Sequence, residues 1–472
     1  MTTIINSRIG ENRGQLRVWM EGGKLARCGY APDDKYNIAV AANKVILTRS
    51  SQGQFSITRR KERNGRYSPL IEITSARCSE LKTLFAVNQL IRIVVTDKVI
   101  TISEHHITAL TADRENRLMS KLASDQPLDI CSLFFGGGML DRAAHDGFSS
   151  IGVKTQLSVI IEREAKYLDP ALEMYSDMLT PDTYVIESPI QLTKLGGKKK
   201  VEIMTLGLPC TGASKAGKAK NKNKSAEEHP DAGAMFYYFL RCAEDMNPAI
   251  ITLENVCEYA NTEGMAVIRS VLTNWGYSLY ETTVSGNEAG SIEDRKRLCV
   301  IAVSINLNLE AFNIRDVING ITLKDKPVQP LALTDIMDDV PLDSPLWKSF
   351  DYLALKAVKD SVAGKGFKRQ LLTGAEKQCG TIGRGYFKCR STEPYIIHPE
   401  NAELSRLFTV NEHAKVKGFP TSYLNPAMSD TTAHEILGQG VIYPAFKAVF
   451  KALACFLLSL QAKSAFVPCQ AA

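Results

Sequence analysis

The chain has 472 residues, 44% apolar and 23% charged, with a formal net charge of +6. That balance fits a soluble globular protein of two or three domains. No N-terminal stretch joins a basic start, an apolar centre and a small-residue cleavage site, so secretion is not expected.

The charge is uneven. Residues 1–120 carry 19 Lys and Arg against 11 Asp and Glu, and the remainder carries 38 against 40. A basic N-terminal third favours a polyanionic partner, nucleic acid first. This third reads as strands. "YNIAVAANKVILT" (Tyr36–Thr48) and "IRIVVTDKVITI" (Ile91–Ile102) are β-branched hairpins with short polar turns, each preceded by a further strand candidate, Gln15–Met20 and Pro69–Thr74. Ile38, Val40, Lys44, Val45 and Ile46 correspond to Ile93, Val95, Lys98, Val99 and Ile100. The pattern predicts an internal duplication within a basic β-rich module over residues 1–110, as two units of about 8–50 and 64–106 packed on each other. The basic run "RRKERNGR" (Arg59–Arg66) lies between the copies. The module resembles the AbrB-like swapped-hairpin DNA-binding families, which implies added DNA affinity. A protein partner or self-association through the module is the alternative. Residues 111–127, polar and ended by Pro127, read as a short helix and linker.

From Leu128 the texture changes to strands alternating with helical stretches, the pattern of a parallel α/β sheet. "LDICSLFFGGGMLDRAAHDGF" (Leu128–Phe148) runs an apolar strand into Gly136, Gly137 and Gly138, then a helix. Such a turn lets backbone approach a ligand closely. A second strand, "LSVIIERE" (Leu157–Glu164), holds Glu162 near its end, where an acid can bond ribose hydroxyls. "LGLPCTGASKAGK" (Leu206–Lys218) ends a strand in Pro209 and Cys210, and "AIITLENVCEY" (Ala249–Tyr259) ends one in Glu254 and Asn255. "SIEDRKRLCVIAVS" (Ser291–Ser304) opens a strand with Arg295 and Arg297. The longest apolar run, Tyr443–Leu460, is broken by Lys447 and Lys451 and reads as an amphipathic helix rather than a membrane span. Eleven cysteines form no CxxC pair and no Cys/His cluster with zinc spacing, so reduced thiols and no metal are expected. Cys131, Cys242, Cys299 and Cys455 sit in apolar runs as small core residues.

In order, these stretches resemble the motifs of the DNA (cytosine-5)-methyltransferase family over residues 128 to about 460. "SLFFGGGMLD" is similar to its cofactor loop, "GLPCTGASKAGK" to its nucleophile motif, "ENV" to its acid motif and "GSIEDRKRL" to its Arg-x-Arg segment. "RLFTVNEHAKVKGFPTSY" (Arg406–Tyr423) and "ILGQGVIYP" (Ile436–Pro444) match its two closing motifs. The resemblance implies a Rossmann-like class I methyltransferase domain over 128–304 and 405–465, with a small target-recognition domain at 305–404. It implies S-adenosyl-L-methionine as cofactor, double-stranded DNA as partner, no membrane, and a cytoplasmic, nucleoid-associated setting of prokaryotic or phage type.

By the same resemblance Cys210 attacks cytosine C6, Glu254 donates a proton at N3, and Arg295 or Arg297 holds the O2 side. Phe134, Gly136, Gly138, Met139, Leu140, Glu162, Pro209 and Val441 would contact the cofactor. The lysine-rich segment after Cys210, with Ser214, Lys215, Lys218, Lys220 and Lys222, would close on DNA. Arg384, Lys388 and Arg390, in the glycine–basic–aromatic stretch Cys379–Ser391, would enter a groove, as would "GKGFKRQ" (Gly364–Gln370). A thiolate nucleophile requires a lowered pKa, expected here from those lysines and Arg295.

Five positions depart from the family pattern. Thr211 and Glu293 stand where Gln is usual, Gln439 where Asn is, Met139 where a second Gly is, and Ser132 where Asp is common. They leave two alternatives: a DNA-binding regulator with a vestigial methyltransferase body, or an RNA cytosine or other C5 modification on the same fold.

Overall fold

The computed structural model describes residues 1–197, 199–210, 212–213, 225–327, 331–364 and 369–465. The chain divides into two compact units, Met1–Asp113 and Arg114–Ala472.

The first unit is built from ten strands: β1 (Thr3–Arg8), β2 (Gly10–Asn12), β3 (Gln15–Glu21), β4 (Lys35–Ala41), β5 (Lys44–Arg49), β6 (Phe55–Ser56), β7 (Thr58–Lys61), β8 (Tyr67–Thr74), β9 (Leu90–Val95) and β10 (Val99–Glu104). They form a six-stranded sheet, β1-β9-β10-β5-β4-β6, and a four-stranded sheet, β2-β3-β8-β7. Either sheet reads the same from both ends: β1 pairs with the later hairpin and β6 with the earlier one. One core holds both sheets, with Val45, Leu47, Ile71, Ile73, Ile93, Ile100 and Ile102 buried. Burial shifts the expected correspondence in the second hairpin strand by one residue. Val45 and Leu47 face inward as Ile100 and Ile102 do, whereas Val99 is only half-buried. Side chains alternate with period two, so the one-residue slip exchanges the faces.

In the second unit a seven-stranded sheet runs β13-β12-β11-β14-β15-β17-β16. Its strands are β11 (Leu128–Leu133), β12 (Thr155–Glu162), β13 (Tyr184–Glu187), β14 (Ile203–Gly207), β15 (Ile250–Asn255), β16 (Tyr277–Ser285) and β17 (Lys296–Ser304). All neighbouring pairs are parallel except those made by β17. Central strands are covered on both faces, which is why β11 and β12 read as near-continuous apolar runs. One face is covered by helices Met139–Ser149, Ala165–Met174, Ile314–Asp325 and Tyr443–Ala465, and the other by Met235–Met246 and Glu263–Asn274. Helix Tyr443–Ala465 is long and apolar enough to cross a membrane, but Phe446, Val449, Phe450 and Leu453 are buried in the core. Cys131, Cys242 and Cys299 are buried as expected, whereas Cys455 is only half-buried.

Three expected boundaries shift. The 111–127 linker is largely helix, His106–Ala123, whose Leu118 and Leu122 join the sheet's core. Arg114, 1% exposed, donates to the Ser304 hydroxyl at 2.8 Å and the Gly276 carbonyl at 2.6 Å. Residues 305–325 carry Leu307, Leu309, Ile314 and Ile318 into that same core, so they pack with the seven-stranded sheet, where a separate domain was expected to begin. Beyond them lies a four-stranded sheet, β18-β21-β20-β19: β18 (Lys348–Ser349), β19 (Gln370–Leu372), β20 (Pro394–Ile397) and β21 (Leu404–Arg406). Strand β21 carries it past the expected end at residue 404.

Candidate active site

The parallel register sets Glu254 beside the strand that leads to Cys210. Gly207, the last residue of β14, pairs with Glu254, and the chain continues through Leu208 and Pro209 to Cys210. Asn255 fixes that continuation: its buried side chain donates to the Leu208 carbonyl at 3.4 Å and accepts the Val256 N–H at 2.8 Å. Strand β17 runs antiparallel to β15, so its first residues lie at the same sheet end, and Arg297 Nε meets Glu254 Oε1 at 3.0 Å. Both partners are almost fully covered.

Burial pushes the Cys210 thiol above its ordinary value, and the Glu254 charge adds to the rise; Arg297 and Arg295 pull it down by less. This corrects the expectation of a lowered thiol. Desolvation outweighs the two guanidinium groups.

Arg295 and Arg297 take different places. Arg295 lies before β17 and is 5% exposed. Its Nη1 donates to the Ile382 and Gly438 carbonyls, each at 3.2 Å, so it ties those two segments to the seven-stranded sheet. Arg297 is the one at the acid. Glu293, fully buried, accepts the Ile382 N–H at 2.9 Å. The carboxylate is matched by Lys417, also fully buried, at 2.6 Å. Burial opposes both charges. Lys417 and Arg295 nevertheless hold the Glu293 carboxyl below its usual range, and Lys417 itself falls to about 8. Removing Lys417 leaves the buried carboxylate with Arg295 alone, at 3.6 Å. We expect Lys417→Met to lower the unfolding free energy by about 3–5 kcal/mol, read from urea midpoints, and added Glu293→Gln to recover most of it.

After β11 the backbone turns at Phe134, Gly136 and Gly138, all at positive φ (58°, 56° and 68°). A Cβ on Gly138 would stand 2.5 Å from the Phe135 ring, so glycine keeps this turn open. Glu162, ending β12, accepts the Gly136 N–H at 2.7 Å and the Arg163 and Glu164 N–H groups at 2.9 and 3.0 Å. The loop lies at the switch point between β11 and β14, where the strand order reverses. Met139 and Val441 are buried, and the Met139 sulfur packs on Gly440. Both side chains are used in packing inside the protein. Leu140 packs on the core beside them. Pro209 lines a small cleft with Gly212, Ala226 and Tyr259.

Residues 129–455 match the C-5 cytosine-specific DNA methylase family. The chain belongs to that family. It is 26% identical over 291 residues to an Escherichia coli DNA-cytosine methyltransferase, covering 53% of this chain and 60% of the relative. It is 23% identical over 254 residues to the type II methyltransferase M.HhaI of Haemophilus parahaemolyticus, covering 51% of this chain and 72% of that one. The chain thus spans under two thirds of the length of the Escherichia coli relative. The fold is shared with an S. pombe Dnmt2 methyltransferase structure (TM-score 0.50, 16% identity, 72% of this chain and 99% of that one).

Within this methylase, Ser214, Lys215, Lys218, Lys220, Lys222 and the departing Thr211 lie outside the described residues, as does most of "GKGFKRQ". Arg384, Lys388 and Arg390 are exposed around the short turn Tyr386–Lys388. Arg384 stacks on the Tyr167 ring at 5.4 Å, and Arg390 packs against Gly385. Among the described residues no group of three or more His, Cys, Asp and Glu could hold a metal. Sequence reasoning missed Lys417 and Asp141. Fully buried Asp141 accepts from Ser132 at 2.8 Å and Thr205 at 2.5 Å, and burial pushes its carboxyl up to about 6. The carboxylate absent from position 132 is thus replaced from the adjoining helix. The Ser132 departure was the available signal.

Proposed function

We propose that this methylase transfers a methyl group to C5 of a cytosine in duplex DNA, at a specific sequence, through a covalent bond between Cys210 and C6. What supports it most is the gathering of Cys210, Glu254 and Arg297 at one sheet end, on three adjacent strands. Cytosine C5 is a weak nucleophile. Attack by the Cys210 thiolate at C6 makes C5 enamine-like; once C5 carries the methyl group, solvent accepts the C5 proton as the C6–S bond breaks and the thiolate leaves. Electron density moves to N3, where Glu254 holds the proton. Arg297 keeps Glu254 in place and faces the O2 side. Arg295 adds a weaker downward pull on the Cys210 thiol and positions the recognition segment through the Ile382 and Gly438 carbonyls.

S-adenosyl-L-methionine fits the glycine turn, and supplies an electrophilic methyl group when bound. Gly136 and Gly138 leave room for it, and the Phe134 backbone borders that turn. Glu162 has accepted three N–H groups, and a carboxylate offers about four lone-pair positions, so one is left for a ribose hydroxyl.

The target atom is stacked inside the duplex, so the base must turn out, at a cost of a few kcal/mol. The lysine-rich segment after Cys210 and the Arg384–Arg390 turn supply phosphate and groove contacts that repay it. The experiment that tests the whole reading is bisulfite-type sequencing of DNA from cells expressing the chain. It is expected to show C5 methylation within one short sequence; unmodified DNA sinks the reading.

The basic N-terminal unit adds affinity for the same DNA. Deletion of residues 1–104 keeps the helix whose second half packs in the catalytic core. We expect the shortened chain to methylate DNA but to bind it more weakly, with a shallower salt dependence. Titration across a salt series reads this.

A further inference from the structure

We infer that the β-ribbon Thr58–Tyr67 of the N-terminal unit is a second DNA-binding element, built to enter a major groove. The inference rests on the reading that the chain acts on duplex DNA.

Strand β7 pairs with β8 from Thr58↔Leu70 to Lys61↔Tyr67, and is an edge of the four-stranded sheet. A tight turn closes the ribbon. Glu62 N–H donates to the Arg66 carbonyl at 2.8 Å, Gly65 N–H to the Glu62 carbonyl at 3.0 Å, and Arg66 N–H to the Asn64 side chain at 3.0 Å. All ten residues from Thr58 to Tyr67 are exposed. They include five cations, Arg59, Arg60, Lys61, Arg63 and Arg66, and one acid, Glu62. The acid is used within the turn, accepting from Asn64 at 3.3 Å.

The cations divide by position. At the root, Arg59 donates to Asp33, and Arg60 pairs with Glu21 while lying 5.7 Å from the Trp19 ring. These contacts fix the direction in which the ribbon leaves the unit. At the tip, Lys61, Arg63 and Arg66 have no carboxylate within ion-pair distance among the described residues. Clustered like charges without acids oppose folding, so they serve something outside the fold.

The ribbon's shape selects the partner. Successive strand residues point to opposite faces, so Arg59 and Lys61 lie on one face and Arg60 on the other. A narrow ribbon whose root cations are held by Asp33 and Glu21 and whose unpaired cations, Lys61, Arg63 and Arg66, gather towards the turn suits a slot walled by two rows of phosphates. The major groove, about 12 Å wide, admits a two-stranded β-ribbon. A flat acidic protein surface would engage one face only.

The test uses the full chain with Lys61→Ala, Arg63→Ala and Arg66→Ala combined. These exposed tip residues support no core. Affinity for duplex DNA is measured by fluorescence anisotropy over a potassium chloride series. The slope of log affinity against log salt is expected to fall by about 2 to 3, near 0.9 for each phosphate no longer neutralised. Methylation kcat at saturating DNA and S-adenosyl-L-methionine affinity stay unchanged. An unchanged slope overturns the proposal, and the charge is then only protection of an edge strand, to be seen as aggregation of the variant. A greater loss for single-stranded RNA, or for an acidic protein, overturns it too. If the parent chain neither binds nor methylates duplex DNA, the proposed function has failed instead.

Discussion

Cys210→Ser protein is expected to lose methyl transfer to DNA by about 10⁴-fold or more, the scale on which removing a covalent nucleophile acts. Duplex affinity should survive, because on the proposed route Cys210 contributes the bond to C6 and not the phosphate contacts. A serine hydroxyl fits the same space, so folding is not the cause of the loss. Retention of C5 methylation by the serine variant would refute the covalent route. The state of the thiol before DNA arrives is a separate expectation. Burial and Glu254 raise its pKa, so near neutrality Cys210 is protonated. The sign is direct: a raised thiol pKa means that the thiolate fraction, and with it alkylation by iodoacetamide, climbs with rising pH and does not level off below the ordinary thiol value of 9.0. A low-pH plateau would contradict the burial. A protonated resting thiol also resists oxidation, which needs thiolate. On the proposed route the thiolate then forms with substrate in place.

The motif order was legible because each chemical residue stands at a strand end of one sheet. Parallel register then brings distant stretches together, Gly207 beside Glu254 and Glu254 beside Arg297. The two arginines were not separable in advance. They share one strand-like alternation, but Arg295 precedes β17, and its direction is set by the carbonyls of Ile382 and Gly438 rather than by the pleat. Lys417 left no local trace: its partner Glu293 is distant in sequence, and the pair exists only where two segments meet. The short helix expected within 111–127 is present, starting at His106, but its packing was not foreseen. Its composition is polar, and one narrow stripe with Leu118 and Leu122 is enough to draw the helix into the core. In the N-terminal unit the two hairpins were visible, while their exchange of outer strands depends on pairing between the copies.

The second large effect concerns Glu254, and its value lies in two readouts of opposite sign. Glu254→Gln keeps the shape of the side chain and removes the charge. Methyl transfer should fall by about 10²–10⁴-fold, the range for loss of a positioned proton donor. Thiol alkylation in the DNA-free protein should instead become faster. The Glu254 charge raises the Cys210 pKa, and the same carboxylate occupies Arg297 at 3.0 Å. Without it the thiol loses an unfavourable neighbour, and the pull of Arg297 acts undiminished. The alkylation profile should therefore shift to lower pH while catalysis declines. Arg297→Gln gives the complementary result: alkylation moves to higher pH, because a charge that lowers the thiol pKa is gone, and methyl transfer again falls. A purely structural role for Glu254 predicts something else, since a loosened sheet end would expose Cys210 equally in both variants and move both profiles the same way. Parallel movement in the two variants would remove Glu254 from the chemistry, and opposite movement ties the acid, the arginine and the thiol into one electrostatic unit.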